Sequence, residues 1–293
     1  MKTWLLCCAL VLAACVGFAE SPARRVVSLA PSLTELIFDA GWGDRLIARS
    51  DACDFPPEAL ALPVAGSFGR PNVEWLLREK PDLVVSTDLE RPGLAQTLRA
   101  AGIEYQRLPC EGWEQMLDAV RKLGVALGDE AGAAAWVDRA QHRRDALASR
   151  ASAYWAGKER PRVYFEVWSD PLTTPGRESF VTDLISLAGG RSIGAALREP
   201  YAHVSAEWVL SEKPDVIVLA YMIPQAEPSA AFLARRPGWK SLGAVKRDAI
   251  CATIPSDWLL RPGPRWLQGA EALADFLESH DRADKGATVQ PTR

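Results

Sequence analysis

Residues 72–85, NVEWLLREKPDLVV, recur 133 positions later at 205–218 as SAEWVLSEKPDVIV, and this repetition constrains the fold more than any other feature of the chain. Eight of the fourteen aligned positions are identical, among them Glu74 with Glu207, Trp75 with Trp208, and the Lys-Pro-Asp runs ending at Asp82 and Asp215. In each copy an Asn or Ser stands at a helix N-cap, apolar residues follow at helical spacing, Pro stops the helix, and a β-branched run reads as a buried strand. One helix-then-strand unit used twice at so long a period implies two similar lobes, since a solenoid needs several short repeats.

A chain of 293 residues with 48% apolar content can bury two ordinary cores. A net charge of -3 and a pI near 5.8 provide no broad basic surface, which argues against nucleic acid as a partner. Lys2 precedes an apolar run at 4–14 that is too short to span a bilayer, the pattern of an export signal. Two cleavage readings stand. Gly17-Phe18-Ala19 suits ordinary signal peptidase and gives a signal segment of 1–19, whereas Leu12-Ala13-Ala14-Cys15 suits a lipobox, giving 1–14 and an acylated Cys15. The mature chain keeps Cys53, Cys110 and Cys251. Export permits disulfides, and Cys53 and Cys110 each follow a predicted strand of the first lobe, so they are read as a pair. An unstrained bridge would contribute about 4 kcal/mol by loop entropy; the alternative is three buried free thiols.

Along the chain, a strand at 24–29 runs into Ser32-Leu33-Thr34-Glu35, which reads as a capping box opening a helix that ends at Gly41. Such a strand-to-helix junction puts free amides at the carboxyl edge of the sheet, where open α/β sheets bind ligands. The alternation continues to 128 and makes an N-terminal lobe at 24–128 with a mainly parallel sheet. An Ala-rich, charged segment at 129–157 then reads as one stiff connecting helix. Strands and helices alternate again in a C-terminal lobe at 158–279, with a last helix from about 264 to 278 and a polar, loose tail at 280–293.

The chemistry-bearing motifs are few. Gly190-Arg191-Ser192-Ile193-Gly194 matches the G-x-S-x-G of a nucleophile elbow, so an exported serine hydrolase using Ser192 is the competing reading from another functional class. The context opposes it, because the Gly-Gly pair ends a predicted helix where an elbow needs a strand. The three histidines, His142, His203 and His280, lack metal-ligand spacing, and no metal site is expected; only His203 lies in a loop from which it could reach a ligand. Trp75 and Trp208 read as core residues copied with their lobes. Phe55, Phe68, Trp168, Tyr201 and Trp258 lie in or beside loops leaving carboxyl ends of strands, where aromatics suit a large flat ligand. Asp257 and Arg261, four residues apart, either pair with each other or bind ligand amides and hydroxyls. Glu74 and Glu207 stand in first helical turns, where a carboxylate favours the helix dipole. Duplication also makes them an equivalent pair suited to two basic sites on a symmetric dimeric partner.

Taken together, residues 25–35, Cys53-Asp54-Phe55-Pro56-Pro57, both Lys-Pro-Asp copies, residues 175–179, and Ser256-Asp257-Trp258-Leu259 with Arg261 and Pro264-Arg265 resemble the periplasmic substrate-binding proteins of the helical-backbone class. The resemblance is closest to the cobalamin-binding BtuF branch. It implies a non-catalytic monomer that holds cobalamin or a related corrinoid as cargo between its lobes, with no cofactor of its own, and delivers it to an ABC importer. It implies corrinoid contacts at Pro31, Phe68, Tyr201, Asp257 and Arg261, and docking of Glu74 and Glu207 on the permease dimer. Haem or ferric-siderophore binding is the alternative within the class.

Overall fold

Two four-stranded parallel sheets carry the duplication. In the first, Leu46–Arg49, Val26–Ser28, Leu83–Ser86 and Glu104–Arg107 lie side by side in that order; in the second, Arg191–Ser192, Arg162–Glu166, Val216–Leu219 and Ile250–Cys251 do. Both place the second strand outside the first and the third and fourth on the other side. A copied lobe produces this shared order. The computed structural model describes residues 22–87, 93–221 and 229–288, so the export-signal readings and Cys15 lie outside the described residues. Central strands such as Leu83–Ser86 and Val216–Leu219 are buried along their whole length, as parallel strands covered on both faces must be. Short antiparallel pieces are added at the edges: a hairpin of Gly66–Ser67 with Arg70–Pro71, and a three-stranded patch of Trp168–Ser169, Leu172–Pro175 and Tyr201–His203.

The repeated sequence folds twice in the same way. Asn72 Oδ1 accepts from Trp75 N at 3.0 Å to cap the helix Val73–Glu79, and Ser205 Oγ accepts from Trp208 N at 3.2 Å to cap Ala206–Glu212. Both helices end on a left-handed lysine, Lys80 at φ 47° and Lys213 at φ 45°. The aspartate after each Lys-Pro then caps the neighbouring strand. Asp82 Oδ2 accepts from the amides of Arg24 and Arg25 at 2.8 and 2.9 Å, and Asp215 Oδ2 accepts from that of Arg162 at 2.9 Å. A left-handed non-glycine costs about 1 kcal/mol, which bonds of this kind offset.

Between the lobes the helix Glu130–Tyr154 runs unbroken for 25 residues, about 37 Å, with Asp129 as its cap through a 3.0 Å bond from Gly132 N. Two indoles fasten the first lobe to this strut: Trp42 Nε1 donates to Asp129 at 2.8 Å and Trp136 Nε1 donates to Asp39 at 2.7 Å. The last helix, Trp266–Thr288, lies against the strut and makes residues 280–288 of the expected loose tail helical; 289–293 lie outside the described residues. Arg143 grips Glu271 through two 2.6 Å bonds, Arg150 reaches Asp275 and Glu278, and Lys158 pairs with Asp281 at 3.1 Å. This ladder holds the helix past position 280. One apolar cluster runs through both lobes and the strut, from Val85 to Val137, Phe165 and Leu273. The lobes therefore share a core instead of hinging on a linker.

Two further expectations are corrected. Cys53 and Cys110 are not bridged, and all three described cysteines are buried free thiols. Each meets a hydroxyl instead, Cys53 Sγ lying 3.1 Å from Ser50 Oγ and Cys110 hydrogen bonding with Ser32; burial pushes the Cys110 thiol up to about 12 despite that bond. The capping box at 32–35 does not form. Pro31, with its φ already fixed for a helix, starts Pro31–Asp39 one residue early from an Ala30 cap. Thr34 Oγ1 donates to Ser28 Oγ at 2.8 Å, and Glu35 is freed for the role described next.

Candidate functional site

The carboxyl ends of the first sheet deliver Pro31 and Ser32 after Val26–Ser28, Thr87 after Leu83–Ser86, and Cys110 and Glu111 after Glu104–Arg107. From the second lobe, Ile250–Cys251 leads into the short helix Ser256–Leu260, which presents Asp257, Leu260 and Arg261. These two sets face each other across a cleft of about 340 Å³. Phe68, 39% exposed, closes one side from the Gly66–Ser67 hairpin, whose turn is pinned by a 3.1 Å bond from Phe68 N to Asp51 Oδ1. Hydrogen bonding from Ser67, with a lesser contribution from Phe68 N, holds the Asp51 carboxyl below its ordinary value against the opposing effect of burial, so it stays an acceptor.

At the foot of the cleft, charges from the two lobes interlock. Glu35 of the first lobe has a side chain 1% exposed and accepts a fork from Arg265 of the second, Nε to Oε2 at 2.8 Å and Nη2 to Oε1 at 2.6 Å. Arg261 Nη1 donates to Glu35 Oε1 at 2.9 Å and to Asp54 Oδ1 at 2.7 Å. Burial alone would raise the Asp54 carboxyl, but Arg261 beside it holds it below the usual range. Asp257 stands farther off, 3.3 Å from Arg261 and 3.6 Å from Arg265, with its side chain 46% exposed. Arg265 also lies over the Phe55 ring at 4.0 Å. Two guanidinium groups thus meet three carboxylates, and Asp257 keeps acceptor capacity facing the cleft.

Four of the eight residues expected to bind ligand line this cleft: Pro31, Phe68, Asp257 and Arg261. The structure does not bring the others there. Phe55 covers Arg265; Trp168 turns its Nε1 to Asp170 O at 2.8 Å; Trp258 packs against the core. Tyr201, 43% exposed, is on the antiparallel patch, where burial raises its hydroxyl against the bond with Ser179. His203 Nδ1 is engaged with Thr173 Oγ1 at 3.1 Å, and no cluster of metal-ligand type occurs among the described residues. Ser192 is buried on a two-residue strand followed by a 3-10 turn, and the helix Phe180–Leu187 with Gly189 at φ 91° precedes it, so no nucleophile elbow forms. Glu74 and Glu207 are both exposed on equivalent helices of the two lobes. Sequence reading missed Glu35, assigned to a cap, and Cys110, assigned to a bridge. The one available signal was the pair Arg261 and Arg265, which need carboxylate partners from elsewhere in the chain.

Residues 26–256 match the family described as "Periplasmic binding protein". The chain belongs to that family. As a periplasmic binding protein it is 31% identical over 261 residues to the vitamin B12-binding protein of Vibrio cholerae, covering 88% of this chain and 90% of that one. The crystal structure of the periplasmic vitamin B12 binding protein BtuF of Vibrio cholerae superposes with a TM-score of 0.71 at 27% identity, covering 89% of this chain and 99% of that one. The periplasmic haem binding protein HutB of the same organism superposes with a TM-score of 0.77 at 22% identity, covering 87% and 98%. Shape therefore defines the two-lobed fold and does not separate the cargoes. Members of this family bind substrates in the periplasm and are not an enzyme class, and no described helix is long and apolar enough to cross a membrane.

Proposed function

We propose that this protein captures cobalamin or a related corrinoid in the cleft between its lobes and delivers it to an ABC importer. The observation that carries the reading is the charge state of the cleft: Arg261 and Arg265 are both engaged by carboxylates, and Asp257 is left half-exposed as an acceptor. A corrinoid presents an apolar ring face rimmed by amide N–H donors, which suits an aromatic wall at Phe68 and a carboxylate at Asp257. Haem propionates and ferric catecholate or carboxylate siderophores are anionic and would favour unpaired arginines. Similarity to B12-binding relatives over most of the chain supports the same choice. Pro31 and Arg261 contact the ligand with Asp257 and Phe68, and Tyr201 reaches it from the antiparallel patch. Corrinoid is cargo here; the protein has no cofactor of its own and catalyses no reaction. Glu74 and Glu207 engage basic residues of the importer's permease dimer. The chain is exported through the signal at 1–19 and works as a monomer in the periplasm; if cleavage follows residue 14 instead, acylated Cys15 anchors it to a membrane. Side-by-side calorimetric titration with cyanocobalamin, haemin and a ferric siderophore tests the assignment: tight binding of cyanocobalamin alone is expected, and preference for either other ligand overturns it.

A further inference from the structure

We infer that Glu35, which does not line the cleft, is a positioning residue for the ligand: it acts across the lobe boundary, holding Arg261 and Arg265 so that Asp257 stays available. The inference rests on the corrinoid reading above. Glu35 takes three arginine hydrogen bonds of 2.6 to 2.9 Å, whereas the nearest approaches of the same guanidinium groups to Asp257 are 3.3 and 3.6 Å. The arginines are thus held chiefly by a buried carboxylate on the other lobe, and Asp257 keeps only longer, half-exposed ion pairs with them. With its side chain 46% exposed, it keeps acceptor capacity for donors in the cleft. Closeness of the lobes makes this coupling direct, since a Cβ built on Gly263 would stand 3.6 Å from Glu35 Oε2 and 3.7 Å from the Ser32 Cα. Were the Glu35 charge removed, the carboxylates left to Arg261 and Arg265 would be Asp54 and Asp257. Asp257 would be drawn into closer ion pairs than its present 3.3 and 3.6 Å contacts and away from the ligand.

The test is calorimetric titration of cyanocobalamin into wild type, Glu35→Gln, Asp257→Asn and the double variant, with thermal melting recorded for each. Glu35→Gln is expected to weaken binding about tenfold or more, the loss of one charge-assisted hydrogen bond. Because Glu35 acts through Asp257, the double variant should bind no more weakly than the weaker single variant. A purely structural Glu35 would lower the melting temperature and give independent, multiplying losses, or none in affinity, and either result overturns the inference. Should Glu35→Gln fail to fold, Arg265→Lys keeps the charge but loses the fork; weakened binding is expected, and unchanged affinity refutes the coupling. Wild-type protein that binds no cyanocobalamin overturns the corrinoid reading and this inference with it, whereas wild-type binding with an undiminished Glu35→Gln overturns this inference alone.

Discussion

Replacing Asp257 and Arg261 one at a time by alanine should separate ligand recognition from lobe cohesion, because the two side chains are embedded so differently. Asp257→Ala removes a half-exposed carboxylate at 3.3 and 3.6 Å from its arginines, and both arginines keep their shorter bonds to Glu35. An exposed ion pair of this length contributes under about 1 kcal/mol, so the fold should hold. The ligand would lose a charge-assisted hydrogen bond of about 1.5–3 kcal/mol, a rise in Kd of about 10- to 150-fold. Arg261→Ala instead strips partners from Asp54 and from Glu35, whose side chain is 1% exposed. Glu35 retains the Arg265 fork, so the cost is about 1–3 kcal/mol of stability and not the 3–5 of a buried charge left alone. Melting should therefore fall by several degrees for Arg261→Ala and by about 2 °C or less for Asp257→Ala. Calorimetric titration with cyanocobalamin and scanning calorimetry of the free protein measure both quantities. Unchanged affinity in Asp257→Ala, or equal melting losses in the two variants, would refute the reasoning.

Reversing charge at Glu74 and Glu207 together should leave cyanocobalamin affinity intact, since both are exposed and outside the cleft, while abolishing stimulation of the importer's ATPase; full stimulation would remove their docking role. In the second lobe, Glu166 is fully buried and accepts from Tyr221 at 2.6 Å, Tyr164 at 3.1 Å and a fork from Arg236 at 2.6 and 2.7 Å. Glu166→Gln should destabilise by about 3–5 kcal/mol in urea unfolding, and a loss below 1 kcal/mol would show the cluster to be structurally idle. Burial holds the Cys110 and Cys251 thiols up at about 12, so at pH 8 both should resist iodoacetamide in the native state and react on unfolding. The unfolded thiols ionise near 8.5, so these two groups favour folding fully below that pH and progressively less as pH rises toward 12. Non-reducing intact mass should count three free thiols in the mature chain with Cys15 removed or acylated.

How far the sequence reaches depends on the range of the forces that set each feature. The repeated helix-and-strand unit, its caps and its Lys-Pro-Asp turn were legible because they are decided within a few residues: Asn72 and Ser205 cap their own helices, and helical periodicity marks the strut. Duplication then fixed the two-lobed architecture, since two equal patterns must make two equal sheets. Pairings between distant residues were not legible in this way. Glu35 lies 226 and 230 positions from its arginines, and Arg143 lies 128 from the glutamate that holds the last helix in place. Local pattern cast Glu35 as a cap and the segment past 280 as a loose tail, because neither partner was near in sequence. Of the loop aromatics, Phe68 faces the cleft while Phe55 covers Arg265 and Trp258 joins the core. A side chain at the end of a strand turns toward whichever surface buries it best, and only the assembled lobes create that surface.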